Sequence, residues 1–143
     1  MELGTFGAVF AFALELERRA QAFYEAVPAD LARSYRPLAA GSRKRLGRLE
    51  RARQEGISEM ILEAITGLHS EDYEVPSEGA AGEEAWRGAA VALEATAARF
   101  YRAAAAKMPI AEAARLFQRM AQENDQRLEQ AQALNNPSPP MRV

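Results

Sequence analysis

Cysteine is absent from all 143 residues and histidine occurs once, as His69. The first absence excludes disulfides, thiolate zinc sites, iron–sulfur sites and a cysteine nucleophile. The second leaves no Ser/His/Asp set to assemble. No glycine-rich loop that would cradle phosphate is present. Neither sign of charge dominates: the net charge is -2, and nothing in that total points to nucleic acid or to a membrane surface. Long apolar runs are missing as well. The run "LGTFGAVFAFAL", at about twelve residues, is too short to span a bilayer. It lacks the basic start and small-residue cleavage site of a signal peptide. It is read as the first turns of a core helix, and the expected compartment is the cytoplasm.

What is present is helical. Apolar residues make up 48% and charged residues 27%, a soluble balance that allows one domain with a sizeable core. Ala, Leu, Glu, Arg and Gln, all strong helix formers, lead the composition. Sparse proline and glycine leave four long helical stretches, about 3–27, 30–55, 80–107 and 110–134. The short breaks "VPAD" and "KMPI" make each pair an antiparallel hairpin. Between the pairs, residues 56–79 are too many for a tight turn. Their "SEMILEAI" part, 58–65, is expected to form a short helix capped by Ser58. A helix of about 27 residues is roughly 40 Å long, so the connection is expected to run back along the bundle and leave helices 2 and 3 parallel. The expected fold is all-α: a ferritin-like four-helix bundle over 1–134, two antiparallel hairpins joined by a long crossover. The tail 135–143, with three prolines, is expected to fray. Pro37 predicts a kink or a late start in helix 2.

Heptad spacing places Leu3, Phe6, Phe10, Ala13, Glu17, Ala20, Tyr24 and Val27 on one stripe of helix 1. Only Glu17 breaks its apolar and aromatic character. Helix 3 gives Ala90, Glu94, Ala97, Tyr101 and Ala104 in the same register. A second apolar row runs beside each stripe, Val9, Leu16 and Phe23 against Trp86, Leu93 and Phe100. The match marks an internal repeat. "LAAGSRKRLGRL" (38–49) likewise aligns with "MAQENDQRLEQA" (120–131). The helix 2 seam then reads Tyr35, Leu38, Ser42, Arg45, Leu49 and Ala52, and that of helix 4 Phe117, Met120, Asn124, Arg127, Ala131 and Leu134.

A glutamate followed seven residues later by a tyrosine, in helices 1 and 3, resembles the rubrerythrin-like branch of the ferritin-like superfamily over about residues 5–134. The resemblance implies a di-iron centre held by two single glutamates and two Glu-x-x-His pairs. The glutamates remain as Glu17 and Glu94, and the associated tyrosines as Tyr24 and Tyr101. Where the pairs belong stand Ser42-x-x-Arg45 and Asn124-x-x-Arg127. Ferrous iron takes ligands with lone pairs, whereas arginine has none to offer and stays protonated. The expectation is therefore that Arg45 and Arg127 replace the metals and pair with Glu17 and Glu94. Ser42, Asn124 and the two tyrosines would take the remaining hydrogen bonds. The alternative for each glutamate is the edge of its stripe, with the carboxylate in water.

No catalytic residue and no cofactor are expected. The expected role is that of a metal-free structural or interaction protein, a homodimer by family analogy and by apolar residues such as Phe12 outside the main stripe. The alternative is an iron-dependent metalloprotein, di-iron or mononuclear, that reduces peroxide or oxidises ferrous iron. A single ion recruited by Glu15, Glu17, Glu94 and Glu123 and a small molecule between the helices are the remaining possibilities for the centre. Lys44, Arg48 and Arg51 share a basic helix face, read as solvated rather than as a nucleic-acid surface. His69, beside Glu71 and Asp72, reads as a solvated loop side chain.

Overall fold

The computed structural model describes residues 1–54, 64–76 and 82–135. These form four long helices: α1 (Phe6–Glu25), α2 (Ala29–Gln54), α3 (Glu83–Lys107) and α4 (Ala111–Asn135), with one 3-10 turn at Ser70–Tyr73. Among the described residues there is no strand; a single isolated bridge joins Glu2 to His69. No described helix is long and apolar enough to cross a membrane. The helix expected over 58–65 lies, but for its last two residues, outside the described residues, and so does the tail from 136 onward.

Two boundaries differ from expectation. Helix 1 starts at Phe6, not Leu3, because extended Thr5 caps it, its hydroxyl accepting from the Ala8 amide at 3.0 Å. Leu3 is buried nevertheless, since its amide donates to the Leu68 carbonyl at 2.8 Å and ties the N-terminal arm to the connection before α3. Gly67, at φ 85, lets that connection turn beside the arm; a side chain there would be strained and would meet Lys107 Nζ at 3.0 Å. The second difference is Pro37. No late start occurs: α2 runs unbroken through it, and the carbonyl four residues back is left without its helical donor.

Every seam position named from the sequence is buried except Leu134, which is half-buried. Glutamates 17 and 94 are each flanked by buried alanines one turn either way, Ala13 and Ala20 in α1 and Ala90 and Ala97 in α3. These small side chains leave room in mid-bundle that aromatic residues fill towards either end. Phe10, Tyr101 and Phe117 meet on one side, and Phe23, Trp86, Tyr24 and Tyr35 on the other. Phe12 packs on Phe100 at 4.9 Å and Phe23 on Trp86 at 4.9 Å, so α1 and α3 run in opposite directions.

Replacing Pro37 by Ala restores the missing donor on an exposed position. It is expected to raise stability by about 1–3 kcal/mol, read as a higher urea midpoint at unchanged slope.

Candidate functional site

The centre of the bundle holds six buried polar residues: Glu17, Ser42, Arg45, Glu94, Asn124 and Arg127. Each carboxylate meets one guanidinium in a two-bond fork. Arg45 donates to Glu17 from Nε at 3.1 Å and from Nη2 at 3.0 Å. Arg127 donates to Glu94 from Nε at 3.0 Å and from Nη2 at 3.1 Å. The parallel N–H bonds of the fork suit the planar carboxylate and strengthen each other in a dry setting. Neither glutamate sits at the edge of its stripe: Glu17 is 2% exposed and Glu94 1%.

The tyrosines bond crosswise. Tyr101 of α3 donates to Glu17 Oε2 at 2.6 Å, and Tyr24 of α1 donates to Glu94 Oε2 at 2.6 Å. Neither phenol serves the glutamate seven residues before it, because α1 and α3 are antiparallel. Each ring also lies under the opposite arginine: Arg45 is 5.5 Å from the Tyr101 centroid and Arg127 is 5.6 Å from that of Tyr24. Asn124 joins the halves, accepting from Arg45 Nη2 at 2.7 Å and donating to Glu94 at 2.8 Å. Ser42, its repeat counterpart, accepts from Arg127 Nη2 at 2.7 Å.

Electrostatics follow from this packing. Burial, then the charge of Glu94, raises the Tyr24 phenol well above its ordinary value, and burial with Glu17 does the same for Tyr101. Burial works against the charge of Arg45, but Glu17 more than offsets it and the guanidinium is held more firmly protonated than usual.

A di-iron centre needs lone pairs that converge on a shared space. Here both oxygens of each glutamate already accept from N–H groups, and the facing donors are guanidinium, hydroxyl and amide. The cavity at the layer is about 10 Å³, at the limit for one water. These side chains do not fit a di-iron centre, and the space does not fit an organic ligand. Glutamates 15, 17, 94 and 123 do not gather either. Glu15 pairs with Arg19 at the surface, and Arg45 bonds to both Glu17 and Glu123. Among the described residues no group of three His, Asp or Glu side chains is placed to hold a metal.

All eight positions named from the sequence, Glu17, Tyr24, Ser42, Arg45, Glu94, Tyr101, Asn124 and Arg127, meet in this layer. Glu123 plays a part that sequence reasoning missed. It accepts from Arg45 Nη1 at 3.1 Å and from Arg48 at 2.6 Å, while the Met120 carbonyl takes a further bond from Arg45 Nη1 at 3.1 Å. Burial would raise the Glu123 carboxyl, but its bond to Arg48 and the nearby arginines hold it below the usual range. The position before Asn124 was the available signal, since it faces the same arginine one residue off the seam. Arg48 thus turns inward, and the basic face of Lys44, Arg48 and Arg51 is broken. His69 is exposed, its backbone bridged to Glu2.

Comparison with protein-family models, with curated proteins and with solved structures gives no match.

Removing the Glu17 carboxylate takes away the Arg45 fork and leaves that buried cation only a share of Glu123, so Glu17→Ala is expected to cost about 3 kcal/mol. The double change Glu17→Leu with Arg45→Met should recover part of that loss, because no charge is orphaned although the Tyr101 hydroxyl and the Asn124 carbonyl lose their partners. Thermal unfolding of the three variants checks both. Tyr24→Phe and Tyr101→Phe are each expected to cost about 1.5–3 kcal/mol. Tyr35→Phe should cost nothing, since the buried Tyr35 hydroxyl has no partner among the described residues. Raised phenol values in the fold mean that the unfolded chain releases these protons first as pH climbs. The stability tied to them is therefore complete below about pH 10 and lost above it. Urea midpoints should fall above that pH, and less steeply in the Tyr24→Phe/Tyr101→Phe double variant.

Proposed function

We propose that this chain is a rubrerythrin-like member of the ferritin-like superfamily whose di-iron ligands are gone, and that it acts without metal as a structural or interaction protein. One observation carries the reading: of the four substituted ligand positions, two hold cations forked onto the surviving glutamates, and the other two hold neutral side chains bonded to those cations. A site so filled has no work for iron, because its acceptor oxygens are already bonded to the guanidinium groups.

Ferritin-like connectivity belongs to the same proposal. It is supported by the antiparallel run of α1 against α3, and by the segment 64–76, which touches the start of α1 through Ile65 and Leu68. Further along, Tyr73 of that segment rests on Phe100. A chain leaving α2 near the start of α1 and entering α3 near its end must travel the length of the bundle. A cytoplasmic homodimer completes the reading, on family analogy. Phe12 no longer argues for a partner, since it is half-buried against Phe100 within the chain.

Protein purified from iron-supplied cells is expected to carry well under one equivalent of iron or manganese, and to melt at the same temperature with and without chelator. Near-stoichiometric metal, lost to chelator together with stability, would overturn the proposal in favour of a metalloprotein.

A further inference from the structure

The two halves of the central layer are not equal, and the inequality opens onto a groove. In the repeat, Arg45 corresponds to Arg127 and Glu123 to Gly41. Arg45 Nη1 bonds to the Glu123 carboxylate and the Met120 carbonyl. Arg127 Nη1 has no hydrogen-bond partner among the described residues, although the Arg127 side chain is only 9% exposed. It lies against Gly41, 2.5 Å from where a Cβ would stand. The Tyr35 hydroxyl is the one buried unpartnered side-chain atom among the described residues, so Arg127 Nη1 faces the groove, where an entering acceptor would gain a charge-assisted bond.

Gly41 and Arg127 line a groove of about 250 Å³ between α2 and α4, together with Lys44, Arg48, Gln126 and Gln130. Its one acid, Glu123, is already shared by Arg45, Arg48 and Arg119 at 3.1, 2.6 and 3.7 Å. Among the described residues Lys44 has no ion-pair partner. The groove thus offers an open ammonium, an open guanidinium N–H and two side-chain amides, with no free acceptor of matching charge. Its volume suits a small molecule only.

We propose that this groove binds a small carboxylate anion, whose carboxylate supplies to Arg127 what Glu123 supplies to Arg45. Lys44 closes on the anion from the solvent side, and Gly41, having no side chain, lets the Arg127 guanidinium lie against its backbone at the groove wall. The groove adjoins the central layer and shares Arg127 with it, and it stands or falls independently of the family assignment.

Succinate is the probe, tested against phosphate and against chloride at equal ionic strength, by calorimetric titration and by thermal unfolding. Succinate is expected to bind saturably and raise the melting temperature, with phosphate doing no more than chloride. Lys44→Ala should weaken succinate about fivefold. Gly41→Glu, whose side chain would displace the Arg127 guanidinium end and bring its own carboxylate to it, should abolish binding. If that variant does not fold, Lys44→Ala decides. Succinate acting no better than chloride would overturn the proposal. So would phosphate binding more tightly, or wild-type affinity in either variant.

Discussion

Two carboxylates in the middle of an apolar bundle must be neutralised, and every other feature of the layer is arranged around that requirement. A bare buried anion costs far more than the few kcal/mol by which a domain is stable. Here the counter-charge is covalent. Each arginine grows from the helix paired with its glutamate's helix, spans the core and closes a planar fork on the acid. The alanines flanking Glu17 and Glu94 make this possible, because a guanidinium needs width that leucine would take. The tyrosines and Asn124 then bind lone pairs and N–H groups that the forks leave over.

Much of this was legible before any coordinates. The repeat put the same residue types at matching heights on alternate helices, and a charge repeated in register inside an apolar stripe is hard to explain at a surface. Heptad spacing therefore found the seam almost to the residue. Helix ends were harder. Leu3 continues the apolar stripe, but hydrogen bonding to a segment some sixty residues later, which periodicity cannot see, holds it in extended form. Pro37 suggests a kink or a late start from sequence alone, yet α2 begins at Ala29 and runs through it, with Tyr35 and Leu38 buried on either side. The crosswise bonding of the tyrosines was illegible too. It depends on the relative direction of α1 and α3, and sequence spacing records only each helix alone.

The repeat also hides where the halves diverge. Asn124 and Ser42 occupy equivalent places, but the amide offers both a donor and an acceptor and so links the two ion pairs, while the hydroxyl is seen only accepting. Glu123 and Gly41 diverge further, one supplying a carboxylate and the other a bare backbone against which Arg127 lies. Departures of this kind fall one position off the seam, where apolar patterning gives no warning. They are the places where two copies of one motif have come to do different things.

The pairing of the forks has a consequence for assembly. Glu17 and Arg45 belong to the α1–α2 hairpin, Glu94 and Arg127 to the α3–α4 hairpin. Each buried glutamate therefore finds its forked counter-charge within its own hairpin. What neither brings for itself is the phenolic donor to its own acid, which arrives only from the opposite hairpin. Each fork is thus closed within one half, while the phenolic bonds and the contacts of Glu123 with Arg45 and Arg48 form only when the correct mate is in place.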